Sequence, residues 1–116
     1  LHKEYRRQRQ MCIRDRHVAA ASMAAEAAFH TDAAAPSLLA AAMAKSRTSE
    51  AAVLVASIAH ALHGAIGIAE EYDLQLLTRR LHEWRMAHGS ETHWNVLIGQ
   101  RVLSADVSIV DFVRSV

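Results

Sequence analysis

An all-α fold, a bundle of antiparallel helices joined by short loops, is what this sequence predicts. Apolar residues fill 52% of its 116 positions, which suits a packed domain rather than a disordered chain. Alanine, the strongest helix former, takes 19 of the 45 positions from 18 to 62. Elsewhere apolar residues recur at three- and four-residue steps, with no strand-like alternation of useful length. The length allows one domain and one modest core. Alanine buries little area, so such helices can lie close but need larger neighbours to hold them. That favours a piece of a larger assembly, a truncated bundle.

The elements follow in order. A first helix is expected from His17 to about His30, ending at Thr31-Asp32. Pro36 suits the first turn of a second helix, where its fixed φ fits and its missing N–H costs nothing. That helix runs to about Leu62, with Ala51, Leu54, Val55, Ile58 and Leu62 on one face. Gly64 and Gly67 then stop it. A third helix is expected from about Glu71 to Arg85, with Leu74, Leu77, Leu81 and Trp84 as its buried stripe and Arg79, Arg80 and Glu83 on other faces. Gly89 interrupts the chain, and Ser90 is placed to cap a fourth helix, with Glu91 in its first turn. Trp94, Leu97, Ile98 and Val102 give that helix an apolar side. The tail from Ser104 has Val110 and Val113 on one helical face.

Residues 1 to 17 stand apart. They carry six Lys and Arg against Glu4 and Asp15, a local charge of +4, whereas the remainder sums to −3. A basic arm for nucleic acid is one reading. The string Arg9-Gln10-Met11-Cys12-Ile13-Arg14-Asp15-Arg16 closely resembles translated sequencing-adapter sequence, and this favours a non-native or disordered segment outside the domain at 18–116. No nucleic-acid partner is therefore expected.

The single Cys12 cannot form an internal disulfide and gives no sign of an oxidising compartment. No apolar run is expected to reach the roughly 20 residues of a membrane span. Glu26 and the weak hydrophobicity of the early stretch argue against an export signal. The expectation is a cytoplasmic protein without a membrane partner.

The informative segment is His60-Ala61-Leu62-His63-Gly64-Ala65-Ile66-Gly67-Ile68-Ala69-Glu70-Glu71-Tyr72-Asp73. A long helix running into Gly-x-x-Gly lets main chain approach something flat, because glycine lacks a Cβ. Alone, such a motif is more often a plain helix connection. In context, Ala44-Lys45, Ser49-Glu50-Ala51-Ala52, His63 to Gly67, Glu71-Tyr72-Asp73-Leu74, Arg79-Arg80, Gly89-Ser90 and Ile98-Gly99 together resemble the C-terminal domain of acyl-CoA dehydrogenases over residues 18 to 116.

That resemblance implies FAD as cofactor of an intact parent protein. It implies an acyl-CoA substrate oxidised to its trans-enoyl form, an electron-transfer flavoprotein-type acceptor, and a homo- or hetero-oligomer. It places Ala61, Leu62, His63, Gly64 and Ala65 against the flavin of a neighbouring subunit, with Ala61 where the family commonly has glutamine. Ser90 and Thr92 match positions touching the flavin dinucleotide from the other side, although Ser90 is equally explained as a helix cap. The family's usual carboxylate base precedes the glycine matched by Gly89, and here that position holds His88.

Three alternatives stand for the base. His88 itself can accept a proton. The carboxylate can instead come from another helix of the parent. Or the subunit lacks a base and pairs with a competent partner. Glu83 and Glu91 read as solvated helix residues near Arg79, Arg80 and Arg85. Eight histidines raise a metal site, but His60 with His63, and His88 with His93, lack the Glu-x-x-His pairing of helical metal centres. No metal is expected. A small helical interaction module would explain the alanine-rich faces, but not the family spacing.

Overall fold

Ser37 starts the central helix. Its backbone is extended (φ −62°, ψ 144°), and its hydroxyl accepts the Ala40 N–H at 3.1 Å, satisfying one of the donors that a helix start leaves unpaired. Helix α2 then runs Leu38–His63. The computed structural model describes residues 2–30 and 37–115. Within them α1 is His2–Phe29, α3 is Leu74–Met86, α4 is Glu91–Ser104 and α5 is Ile109–Ser115, with a 3₁₀ turn at Gly64–Ile68. Every regular element among the described residues is helical, as expected. The expected stop at Thr31-Asp32 and the first-turn place of Pro36 lie outside the described residues.

Helix α2 is the hub, with α1, α3 and α4 all packed on it. Helices α3 and α4 run antiparallel to it. Lys45 meets the end of α3 whereas His60 meets Thr78 nearer its start. Ser46 meets Asn95 near the start of α4, and Leu38 and Leu39 line a cleft with Leu97, Arg101 and Ser104 towards its end. Helix α1 begins at His2 rather than His17, because the basic segment is rich in Lys, Arg, Gln and Met, all good helix formers. Most side chains of that first half are exposed.

The buried apolar residues are Ala21, Ala28, Ala40, Ala42, Ala51, Ala56 and Ile58. Six of the seven are alanine, so the core is a seam of close backbones. Ser46, Ser49 and Thr78 are buried with them. The predicted face of α2 is largely seen, with Ala51 and Ile58 buried and Leu54 and Val55 half-buried, while Leu62 is exposed. In α4, Trp94, Leu97, Ile98 and Val102 are half-buried as expected.

Two expectations are corrected. Leu77 and Trp84 are not buried: they are 64% and 60% exposed. Helix α3 rests on α2 along Leu74, Thr78, Leu81 and Arg85, and Thr78 takes the deepest place because His60 hydrogen-bonds to it at 2.9 Å. The polar contact rotates the helix away from its most apolar stripe. In the tail, Val110 and Val113 are exposed as well.

The second correction concerns apolar length. The stretch Leu38–Ile68 is long and apolar enough, by length and composition, to cross a membrane, with a mean hydropathy of 1.8 over 18 residues. Positions 51 to 68 hold no Asp, Glu, Lys or Arg. The same composition suits the hub of a helical bundle, and α1, α3 and α4 pack on this helix.

An alanine seam tolerates little added volume. Ala42→Leu, at a position with no exposed surface, is expected to lower stability by about 1–3 kcal/mol, read as a lower denaturant midpoint at unchanged slope.

Candidate functional site

The first candidate stretch closes α2. Gly64 adopts φ 63° and ψ −144°, and its N–H returns to the His60 carbonyl. A Cβ there would meet nothing within 4 Å, so this glycine serves conformation. Gly67 serves packing: a Cβ would lie 3.0 Å from His63 Cβ and 3.1 Å from Leu74 Cδ2. It is buried in the 3₁₀ turn rather than acting as a second helix stop. Around these glycines Ala61, Leu62, His63 and Ala65 are exposed.

The two histidines here have structural partners. His63 Nδ1 lies 2.8 Å from the Ala59 carbonyl, which can only accept, so this nitrogen carries the proton. Its ring sits 5.5 Å from that of Tyr72. The Thr78 hydroxyl is hydrogen-bonded to His60 Nε2 at 2.9 Å and lies 3.2 and 3.3 Å from the carbonyls of Leu74 and Gln75. The Nδ1 of His60 is left buried without a hydrogen-bond partner, beside Gly67. Among the described residues no group of His, Cys, Asp and Glu has metal-site geometry.

The second stretch joins α3 to α4. His88 and Gly89 both take left-handed φ values, 60° and 96°. The Gly89 N–H donates to the Met86 carbonyl at 3.3 Å, and Trp94 Nε1 donates to the His88 carbonyl at 3.1 Å. Gly89 is required by its φ and also by space, since a Cβ would come within 3.0 Å of the His93 ring and 3.2 Å of Trp94 Nε1. Ser90 caps α4 through its backbone, with φ −76°, ψ 172° and its carbonyl accepting the Trp94 N–H at 3.3 Å, while its hydroxyl makes no capping bond. Thr92 is exposed, and the exposed His88 borders a cleft of about 400 Å³ shared with Lys45, Ser49, Leu81 and Trp84.

An ion pair spans this turn. Arg85 Nε donates to both oxygens of Glu91, at 2.9 and 3.2 Å, and its terminal nitrogen also reaches Oε1. The Arg85 hydrogen bonds hold the Glu91 carboxyl below the usual carboxylate range, and Glu91 raises the guanidinium in return. Glu91 is thus a braced group, whereas Glu83 is exposed as expected. Lys45 Nζ donates to the carbonyls of Trp84 and Arg85 at 2.8 and 3.0 Å and to Ser49 Oγ at 3.1 Å. Burial pushes the Lys45 ammonium below its ordinary pKa, against the opposing pull of Glu91.

Residues 88 to 92 form one turn and residues 61 to 65 another, but the chain does not bring the two together. Lys45 marks the first turn's level on α2, and Ala61 lies 16 residue steps further on, about 24 Å along the axis at 1.5 Å per residue. Sequence reasoning gave Lys45, Thr78 and the Trp94 indole no role. A lysine on an otherwise alanine- and serine-rich helix face was the available signal.

These features define a class: an all-α domain, built on one alanine-rich helix, that presents glycine-bearing main chain at two separate edges. Residues 6–103 match the family model described as acyl-CoA dehydrogenase, C-terminal domain, and the chain belongs to that family. The match begins inside the basic segment, at residue 6. Comparisons with curated proteins and with solved structures returned no match.

Two outcomes test the site's construction. Because Glu91 has a depressed folded-state pKa, its pair stabilises the fold above the ordinary carboxylate pKa of about 4.3, and that contribution is lost as pH falls through the depressed value. Thermal melts should therefore show wild type above Glu91→Gln at neutral pH, with the gap closing on acidification. Gly67→Ala should lower the denaturant midpoint through crowding against Leu74. Gly64→Ala, which meets open space, should do so only through the strain of its backbone, φ 63° with ψ −144°, about 1–3 kcal/mol.

Proposed function

We propose that this chain is the C-terminal part of a flavin-dependent acyl-CoA dehydrogenase, which oxidises an acyl-CoA thioester to the trans-enoyl form. The carrying observation is the family match across residues 6–103, in a family defined as a C-terminal domain. On this reading the rest of the acyl and flavin pocket belongs to other parts of the parent and to neighbouring subunits. Residues 1–17 stay outside the functional domain on the strength of their adapter-like string. The parent works in the cytoplasm, without a membrane or nucleic-acid partner, and passes electrons to an electron-transfer flavoprotein-type acceptor.

The residues fit a shared FAD. Ala61, Leu62, His63, Gly64 and Ala65 offer exposed main chain, and Gly64 leaves open space where a side chain would stand. A flat ring system held mostly by another polypeptide can lie against them. Ser90 and Thr92 offer hydroxyls at the other turn, and the Ser90 hydroxyl is not consumed by helix capping. Ala61 offers no polar side chain where the family commonly has one. The separation of the two turns suits a subunit that contributes to two sites in a homo- or hetero-oligomer. When bound, the flavin supplies the hydride acceptor for the carbon β to the thioester.

The chain's own task is to manage the proton on the α carbon. His88 occupies the base position, exposed at the mouth of its cleft, and its imidazole is suited to accepting that proton. A second reading, a non-catalytic partner subunit, draws on the carboxylate three residues after His88: Glu91 is engaged by Arg85 and thus ill-placed to substitute for the missing base.

The isolated chain should bind no flavin and show no dehydrogenase activity, and it should associate or melt at low temperature because Leu77, Trp84, Leu103 and Ile109 are exposed. Flavin absorbance in the purified chain, or a chain that stays monomeric at high concentration in sedimentation, would count against this. In the full-length protein, His88→Ala should lower kcat by about 10²–10⁴-fold if His88 is the base. Unchanged turnover would move the base elsewhere, and a flavin-free full-length protein would overturn the function itself.

A further inference from the structure

We propose that Lys45 is a positioning residue for the turn that presents His88 and Ser90. Its ammonium fixes where α3 ends, and so sets the main chain leading into the left-handed pair His88-Gly89.

An α-helix leaves its last carbonyls without internal partners, and a cation is favoured at that end of the helix dipole. At the end of α3 those acceptors include Trp84 and Arg85, and Lys45 Nζ reaches both, at 2.8 and 3.0 Å. Its remaining proton goes to the buried Ser49 Oγ at 3.1 Å, so all three donors are used. Ser49 lies one helical turn further along α2, which ties the ammonium to the hub rather than to solvent.

The same carbonyls begin the turn. Ala87 follows as the C-cap, its N–H still bonded to Glu83, and the next two residues adopt positive φ. From the far side, α4 holds the turn through Trp94 Nε1 on the His88 carbonyl and through Glu91 on Arg85. Helices α3 and α4 each pack on α2. Lys45 thus supplies the hydrogen-bonded tie from the hub to the start of the turn, and Trp94 and Glu91 fix its end. Removing the ammonium would free two carbonyls at the point where α3 hands over to the turn, leaving His88 and Ser90 on a less defined backbone.

This inference rests on the proposed function for its catalytic meaning, but its test does not. The chain has two tryptophans, Trp84 and Trp94, and hence two indole N–H signals in a ¹⁵N-labelled sample. In Lys45→Met, which keeps an apolar stem and removes the ammonium, Trp94 indole hydrogen exchange should quicken by about tenfold. The backbone amides of Ala42 and Ala56 should keep their protection. Lys45→Arg, whose guanidinium can still donate to the carbonyls, should restore the slow exchange. An unchanged Trp94 indole in folded K45M would overturn the proposal, as would an equal loss of protection at Ala42 and Ala56, which marks a merely structural role. If K45M does not fold, the wild-type chain decides. Its Lys45 ammonium should exchange slowly and show coupling to the Trp84 and Arg85 carbonyl carbons, and a freely exchanging ammonium would overturn the proposal. A full-length protein without flavin would remove the reaction and leave this measurement standing.

Discussion

The structure depends on how closely other helices can approach α2. Its buried positions are Ala40, Ala42, Ser46, Ser49, Ala51, Ala56 and Ile58, nearly all small. Small side chains bring backbones together but remove little apolar surface from water, and hydrophobic stabilisation scales with that surface. Such packing is also poorly directional, because an alanine face fits equally well over a range of rotations. Orientation must therefore come from elsewhere. Three polar contacts along α2 provide it: Lys45 on the end of α3, Ser46 donating to Asn95 of α4 at 2.6 Å, and His60 hydrogen-bonded to Thr78 of α3. Each joins a partly or fully buried group on the hub to one partner helix.

This division explains what the sequence revealed and what it hid. Helix content, the order of elements and the breaks at Gly64 and Gly89 follow from propensity and from glycine's special backbone, both local properties. The apolar side of α4 was also legible, since Trp94, Leu97, Ile98 and Val102 pack where their spacing placed them. The face of α3 was not. Its spacing nominated Leu77 and Trp84, yet Thr78 is the buried residue, hydrogen-bonded to a histidine eighteen residues earlier. Hydrophobic periodicity carries no information about a partner on another helix. The Lys45 contact, spanning 39 and 40 residues, was hidden for the same reason.

The two glycine-bearing turns are built by different means. At the end of α2, Gly64 relieves backbone strain and leaves an open surface, while Gly67 lets the 3₁₀ turn settle against His63 and Leu74. At the end of α3, Gly89 answers both needs at once, with positive φ and ring atoms of His93 and Trp94 where a Cβ would stand. The first turn therefore offers accessible main chain on a packed base. The second is gripped on both sides, so its conformation is set by neighbouring helices more than by its own residues.

That grip bears on the departure at position 88. The groups that hold the turn are the Lys45 ammonium, the Arg85–Glu91 pair, the Trp94 indole and the missing Cβ of Gly89; from residue 88 they use only the carbonyl. The side chain there must merely tolerate a φ of 60°, and histidine, like asparagine and aspartate, enters that region more readily than most residues. The side chain at this position can thus be changed while leaving the architecture of the turn in place. Fold and side-chain identity are separable at His88 because the scaffold holds it by the main chain.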